Sequence, residues 1–339
     1  MSQLEVLDAP TRLAGAILHT AGIANVSTAD RLRGRGYASA LMEHSHRFLA
    51  AAGYSTAALF DVSPGFYGQF GYGAIGANFI LELDTNITKR HTPPQRIRAA
   101  CNRDLPAVAE LYNATNEGLD GSIVRNPQTW NGLQEGSTLV GTKGLSVAVD
   151  SQDQTIGFIA IAEQPGQTLV VDAGFRDPGI ALPLISYAAT HSVRQRIATV
   201  QFCLHPEFGL GNYVRRLGGR MTSDRRCNSG YMIRVLDQDA VLSAIAPALR
   251  SRAASHTWKT PADLCITTPT GTTTVKLRPC GDKRDISLPC GRLAQLLFGH
   301  DAVAELSTAE DVEIANRDAP WLAKIFPKHD AFCYKPDAY

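Results

Sequence analysis

Residues 33–39 place two arginines and two glycines directly before a segment with helical periodicity. Gly34 and Gly36 permit positive φ, and the first backbone N–H groups of a helix have no acceptor within that helix. Such a helix start attracts anions, and Arg33 and Arg35 would add charged donors. The stretch therefore predicts a phosphate-binding loop. The alternative is a solvated basic loop that caps the helix and binds nothing.

A dinucleotide is a rival ligand for the same loop, because Gly34 and Gly36 begin the Gly-x-Gly-x-x-Gly pattern of dinucleotide-binding folds. The third glycine of that pattern is replaced by Ser39. Asp61 does follow the next apolar segment, at about the position of a ribose partner. The missing glycine makes the dinucleotide the less favoured ligand.

A second candidate stretch, GFYGQFGYG at residues 65–73, contains a possible proton donor. A tyrosine has a pKa of about 10, so Tyr67 is protonated at neutral pH and can act as an acid. The alternative is a core aromatic residue, which is also the interpretation for Phe66, Phe70 and Tyr72. We expect no metal site, because His44 and His46 do not share a helix face and the cysteines lack zinc-like spacing.

The composition limits the class of protein. The chain has 339 residues, of which 44% are hydrophobic and 19% charged, and its net charge is +1. These values predict a globular protein of two or three domains that binds neither nucleic acid nor membrane. No signal peptide or membrane-spanning run is visible. Seven cysteines without a CxxC pair favour reduced thiols and a cytoplasmic location.

The elements that must position these residues follow from periodicity. Residues 15–26, 55–60 and 79–83 are apolar and β-like, and a helical pattern runs from Tyr37 to a stop at Gly53. A proline-containing linker is predicted at 87–95. A second strand–helix unit begins at about residue 96, and a helix near 240–254 leads to a third unit. The sequence therefore predicts an α/β fold in three units.

The second unit repeats the first in weakened form. RLRGRGYASALM in the first unit is echoed by FRDPGIALPLIS in the second, so that Arg176 matches Arg33 and Gly218 matches Gly71. In the second copy Pro178 removes a backbone donor and Asp177 adds a negative charge. The alignment also puts Val214 at the position of Tyr67. We interpret the second copy as a non-catalytic scaffold.

The stretch from Gly22 to Gly73 resembles the GNAT acetyltransferase superfamily, through RGRGYA and GFYGQFGYG. The whole chain is similar to the Enhanced intracellular survival (Eis) type, through GIANVSTADRLRGRGYASALM, IRAACNRDLPAVAELYNA and the ending FCYKPDAY. That resemblance implies tandem GNAT domains at 1–92 and 93–240, followed by a sterol carrier protein-like α+β domain at 241–339. It also implies that the first domain is incomplete, because about one strand–helix–helix–strand portion precedes residue 16 in the family.

The resemblance implies an acetyl-CoA-dependent N-acetyltransferase that acts on a primary amine, of a small molecule or a lysine side chain, by direct attack. Tyr67 would be the general acid, and the terminal carboxylate of Tyr339 would be the base. The implied partner is a second copy of the chain, in a hexamer. The alternative function is a non-catalytic CoA-binding or assembly protein. The cofactor-binding residues implied are Val26, Ser27, Thr28, Arg33, Gly34, Arg35, Gly36, Tyr37, Ala38, Ser39, Val62 and Ser63.

Overall fold

Within the described residues, the backbone forms sheets of five, seven and three strands and one two-stranded hairpin. The computed structural model describes residues 1–61, 65–89, 96–130, 132, 144–226, 230–255 and 261–338. The strands are β1 (Ser2–Asp8), β2 (Thr11–Leu13), β3 (Ala16–Leu18), β4 (Thr20–Thr28), β5 (Thr56–Asp61), β6 (Gly73–Ala74), β7 (Ala77–Asp84), β8 (Arg96–Ala99), β9 (Leu145–Val149), β10 (Thr155–Gln164), β11 (Gln167–Phe175), β12 (Thr199–Phe202), β13 (Arg220–Arg225), β14 (Gly230–Val235), β15 (Asp263–Thr268), β16 (Gly271–Lys276) and β17 (Lys283–Ser287). The α-helices are α1 (Tyr37–Ala51), α2 (Leu105–Thr115), α3 (Ala181–Arg194), α4 (Gly209–Arg216), α5 (Gln238–Ala254), α6 (Cys290–Leu297), α7 (Val303–Leu306) and α8 (Ala319–Ile325). The fold is mixed α/β, as predicted.

The five-stranded sheet has the order β1-β4-β5-β14-β6 and carries the predicted phosphate loop. Strands β4 and β5 run parallel, so α1 forms the crossover between them. The helix buries Met42, His46 and Leu49, whose spacing places them on one face. It ends at Ala51, and Gly53 two residues later has a φ of 86°, next to the Tyr54 amide that donates to the Leu49 carbonyl at 3.0 Å. The helix and its stop therefore agree with the sequence pattern.

The N-terminal residues contain a strand that the periodicity did not predict. Strand β1 is an edge strand whose residues are mostly exposed, so it lacks the apolar alternation of a half-buried strand. Hydrogen bonds to β4 hold it in the sheet. The single apolar segment expected at 15–26 is divided between β3 and β4, which belong to different sheets.

The seven-stranded sheet has the order β13-β7-β12-β11-β10-β9-β8 and contains the weakened copy. Strands β11 and β12 run parallel with α3 between them, just as β4 and β5 do with α1. The matched glycines Gly71 and Gly218 have φ values of 79° and 92°. Equivalent connections and equivalent left-handed turns support the internal repeat.

The two larger sheets exchange strands across the predicted boundaries. Strand β7 pairs with β12 and β13 of the seven-stranded sheet, and β14 pairs with β5 and β6 of the five-stranded one. The domain boundary at residue 92 remains a prediction. The strand expected at 79–83, before that boundary, belongs to the seven-stranded sheet. This exchange brings residues of β14 next to the predicted site.

The three-stranded sheet, with the order β16-β15-β17, belongs to the C-terminal unit together with helices α5 to α8. Helix α6 contacts β6 at very short range. A Cβ atom on Gly73 would lie 2.0 Å from the carbonyl oxygen of Gly291. The absence of a side chain at residue 73 therefore allows the C-terminal unit to pack on the first sheet.

Candidate functional site

A cleft of about 710 Å³ lies beside the start of α1 and gathers most of the predicted site residues. Arg35 is exposed and is not one of the residues that line it. Val62, Ser63 and Tyr339 lie outside the described residues. The predicted residues that line the cleft are Val26, Ser27, Thr28, Arg33, Gly34, Gly36, Tyr37, Ala38, Ser39 and Tyr67.

The loop before α1 has the geometry of an anion-binding helix start. Gly34 and Gly36 have φ values of 72° and 78°, and Gly36 is the N-cap of the helix. The Ala40 amide donates to the Gly36 carbonyl at 3.0 Å, so the amides of residues 37–39 precede the first helical hydrogen bond. Arg33 contacts Asp30 at 3.0 Å, with both side chains largely exposed. The loop therefore presents free amide donors and a cation to the cleft.

Strands β4 and β5 separate where they reach the cleft. Their parallel pairing in the described chain covers only residues 20–22 of β4 and 56–58 of β5, although both strands continue. On its other side, β4 contains a bulge, because Gln3 pairs with Ser27 and Glu5 pairs with Ala24. Asn25, at the bulge, has a φ of 52°. The separated strand ends leave the edge of residues 26–28 that faces β5 without a strand partner in the described chain.

Tyr67 is a half-buried residue on a turn at the opposite wall of the cleft. The turn continues as a 3₁₀ helix over Gly68–Phe70, and the Phe70 amide donates to the Tyr67 carbonyl at 3.0 Å. Burial, and secondarily the nearby Asp61, raise the pKa of Tyr67 above its usual value. Tyr67 is thus protonated at neutral pH, while Phe70 and Tyr72 are buried core residues as expected.

A second cavity of about 720 Å³ adjoins the other side of the β4 bulge. Ala24 and Asn25 line this cavity, and the next three residues of β4 line the first, so the two cavities adjoin at the bulge. No local sequence pattern marks this cavity, because its lining comes from four separate segments of the chain. Its polar and aromatic lining includes Glu5, Asp8, Trp130 and Asp337.

The corresponding loop of the second copy has different hydrogen bonds. The carboxylate of Asp177 accepts from the Gly179 amide at 2.9 Å, and Pro178 has no amide hydrogen. The loop's own side chain therefore takes a donor that an anion would need. Val214 is fully buried. This geometry is what a non-catalytic copy predicts.

Among the described residues, no group of three or more histidine, cysteine, aspartate or glutamate residues could hold a metal ion. Within the same residues, no helix combines the length and apolar character that crossing a bilayer requires.

Comparison with known proteins identifies the class of the N-terminal domain. Residues 1–75 match the family model of an acetyltransferase (GNAT) domain. This range contains β4, α1, β5 and the Tyr67 turn, whose residues line the first cleft. The part of the chain that matches the GNAT acetyltransferase model therefore coincides with the first cleft.

Two relatives are similar in sequence to parts of the chain. An uncharacterized N-acetyltransferase of Streptomyces coelicolor is 32% identical over 118 residues, which are 33% of this chain and 29% of that protein. The N-acetyltransferase Eis of Mycobacterium bovis is 37% identical over 75 residues, which are 22% of this chain and 19% of that protein. The matches thus cover less than a third of the length of both relatives.

One solved structure resembles the whole fold. The GCN5-related N-acetyltransferase of Kribbella flavida has a TM-score of 0.75, with 100% of this chain and 84% of that chain covered. The sequence identity is 20%. At this identity the likeness shows a shared fold.

Proposed function

We propose that the protein is an acetyl-CoA-dependent N-acetyltransferase that acts on a primary amine. The observation that carries the proposal is the first cleft, which combines an anion-binding helix start with a separated strand end and a protonated tyrosine. A cleft of about 710 Å³ lined by amide donors and Arg33 fits an elongated diphosphate ligand. Acetyl-CoA supplies the thioester whose acetyl group is transferred.

The residues of the cleft have separate roles in the proposed reaction. Amides 37–39 and Arg33 bind the diphosphate, and the backbone edge of residues 26–28 that faces β5 holds the pantetheine arm. Amides at the end of β4 stabilise negative charge on the reacting carbonyl oxygen. Tyr67 donates its phenolic proton to the departing thiolate. Val62, Ser63 and Arg35 remain proposed cofactor contacts by resemblance.

We assign the amine acceptor to the second cavity. Glu5 and Asp8 are exposed acidic residues in its lining and would attract a cationic amine. The proposed base is the α-carboxylate of Tyr339. In support, Ala338 lines this cavity and Asp337 is anchored by Arg125 at 2.8 Å. The deprotonated amine would then attack the acetyl carbon at the bulge, where the two cavities adjoin, and the C–N bond would form as the C–S bond of the thioester breaks.

The larger organisation is proposed from the resemblance. It comprises tandem GNAT domains at 1–92 and 93–240, a sterol carrier protein-like domain at 241–339, and a homo-oligomer, a hexamer by the resemblance. A cytoplasmic location is proposed because all six described cysteines are free. Sedimentation of the purified protein tests the oligomer, and a monomer at micromolar concentration would contradict it.

Calorimetric titration with acetyl-CoA and steady-state assays with primary amines test the function. Arg33→Ala should weaken acetyl-CoA binding about tenfold to a hundredfold, because a charge-assisted contact contributes roughly 1.5–3 kcal/mol. Its matched control, Arg176→Ala in the second copy, should bind normally. Tyr67→Phe should keep the affinity and lose about a hundredfold in kcat.

The wild-type result separates the two functions. Acetyl-CoA binding without turnover on any amine would indicate the CoA-binding alternative. No binding by folded protein would eliminate the enzyme and the CoA-binding protein, and leave the assembly protein. Equal losses of affinity in Arg33→Ala and Arg176→Ala would contradict the assignment of the cleft.

A further inference from the structure

Behind the wall of the cleft that carries Tyr67 lies a chain of buried polar contacts for which the reaction has no direct use. The guanidinium of Arg234, on β14, donates through Nη1 to the Phe70 carbonyl and to Nδ1 of His46 at 3.2 Å. His46, on α1, contacts the Tyr72 hydroxyl through Nε2 at 3.0 Å. His46 and Tyr72 are 4% and 3% exposed. These contacts connect three separate elements directly beneath the turn.

The protonation state of His46 follows from the direction of its two hydrogen bonds. An arginine can only donate, so Nδ1 of His46 must accept and Nε2 must carry the proton given to Tyr72. Burial, and secondarily the charge of Arg234, lower the pKa of His46 to about 4, so the ring is neutral at physiological pH. The hydrogen bonds therefore have a single consistent direction, from Arg234 to His46 and from His46 to Tyr72.

The position of Arg234 is unfavourable for folding stability. Within the described part of the chain it has no carboxylate partner, and its Nε atom is buried without an acceptor. A half-buried cation without a counterion costs stability, and an apolar side chain would avoid that cost. Its donors are directed instead at the carbonyl of Phe70, three residues after Tyr67. Arg234 therefore orients the turn through its hydrogen bond to Phe70, at a cost in folding stability.

Aromatic packing connects the hydrogen-bonded residues Arg234, His46 and Tyr72 to Tyr67. The Tyr67 ring lies edge-on to the rings of Tyr72 and Phe66, with centroids 6.0 Å and 5.0 Å away. Phe66 contacts Phe70 in the same manner, at 5.4 Å. The Tyr67 ring is thus held by two neighbours, one of which accepts the hydrogen bond from His46.

We propose that Arg234, His46 and Tyr72 position the Tyr67–Gly71 turn, and through it the acidic hydroxyl, against the start of α1. The assignment rests on the proposed acetyl transfer. Helix α1 begins at the phosphate loop and carries His46 on its inner face, so the same helix that binds the cofactor also sets the place of the acid. Strand β14, which returns from beyond the second copy, supplies the arginine. None of these three residues contacts substrate in this arrangement, so they are positioning residues.

The test compares His46→Leu and Arg234→Met with the wild type in steady-state kinetics, acetyl-CoA titration and amide hydrogen exchange. Both variants should lose about tenfold in kcat, because small displacements of a catalytic group are costly, while acetyl-CoA affinity stays within about twofold. Exchange should accelerate in residues 66–72 and remain unchanged in residues 30–40. His46→Gln should restore kcat, because its amide oxygen can accept from Arg234 and its NH₂ group can donate to Tyr72.

His44→Leu is the matched control, since His44 is an exposed residue two positions earlier on α1. It should match the wild type in every readout. Wild-type kcat and exchange in folded Arg234→Met would overturn the proposal, as would a loss of kcat that His46→Gln fails to restore. If the wild type itself shows no turnover, the proposed function fails, and the exchange of residues 66–72 still decides whether the three residues hold the turn.

Discussion

The Nε and Nη2 atoms of Arg125 donate to the two carboxylate oxygens of Asp337, at 2.8 and 2.9 Å. Nη2 also lies 2.7 Å from Asp172, and the three side chains are between 1% and 5% exposed. The Tyr112 ring lies 3.6 Å from the guanidinium carbon. Two buried carboxylates therefore share one cation, and this ion cluster anchors the C-terminal segment on the second sheet.

Asp337→Asn should release this anchor. We expect a loss of about 1.5–3 kcal/mol in the free energy of unfolding, the range for hydrogen bonds to charged groups. Burial is the main reason that the pKa of Asp172 is raised to about 6, and Asp337 adds to the effect, so the substitution should also lower that pKa. Urea denaturation measures the loss. The control is Asp285→Asn, whose exposed pair with Lys283 should contribute less than about 1 kcal/mol. Equal losses in the two variants would contradict the anchor.

Gly36→Ala should impair both stability and cofactor binding. An alanine at a φ of 78° is strained by roughly 1–2 kcal/mol, and relaxation of that strain would move the amides at the start of α1. Gly53→Ala is the control, because Gly53 has a φ of 86° at the other end of the same helix. Both variants should show the stability loss in denaturation curves. Calorimetric titration should show weaker acetyl-CoA binding only for Gly36→Ala. An equal loss of affinity in Gly53→Ala would contradict the assignment of the loop as the diphosphate site.

Asp61→Asn should make Tyr67 a stronger acid. Burial is the main cause of the raised pKa of Tyr67, and the negative charge of Asp61 adds to it. Removing that charge favours the phenolate, so the pKa should fall. The alkaline limb of the pH profile of kcat/KM should therefore move to lower pH. An unmoved limb, or one that moves to higher pH, would show that Tyr67 does not donate the critical proton.

His46→Gln should change how stability depends on pH. The pKa of His46 is lowered to about 4, chiefly by burial, so between pH 4 and about 6.5 the unfolded chain binds a proton that the folded chain does not. The stabilisation is complete above pH 6.5, falls as the pH drops towards 4, and amounts to on the order of 3 kcal/mol. The variant should lose this dependence.

Denaturation at several pH values between 4 and 7.5 measures the difference between His46→Gln and the wild type. His205, whose pKa is also lowered to about 4 by burial and by His329, contributes equally to both proteins and cancels. Parallel stability curves for the two proteins would mean that His46 is not buried in its neutral form.

Local signals were sufficient for helix α1 and for the loop before it. Helix α1 was predicted because its buried positions recur every three or four residues, and because Gly36 and Gly53 mark its ends. The left-handed φ of Gly34 and Gly36 follows from the residue type alone. The altered donors at residues 177–179 also follow from the sequence, since Pro178 and Asp177 lie within that loop itself.

What the sequence determined by itself is therefore helix α1, the left-handed glycines of the loop before it and the aromatic turn at residues 65–73, all set by residue types within short windows. The tertiary structure alone decided which distant segments complete the site. Strand β14 brings Arg234 beneath Phe70, 164 residues earlier in the chain. Asp337 reaches Arg125 across 212 residues. Contacts over such separations depend on how whole sheets exchange strands and pack, and hydrophobic periodicity records only which face of each element is buried.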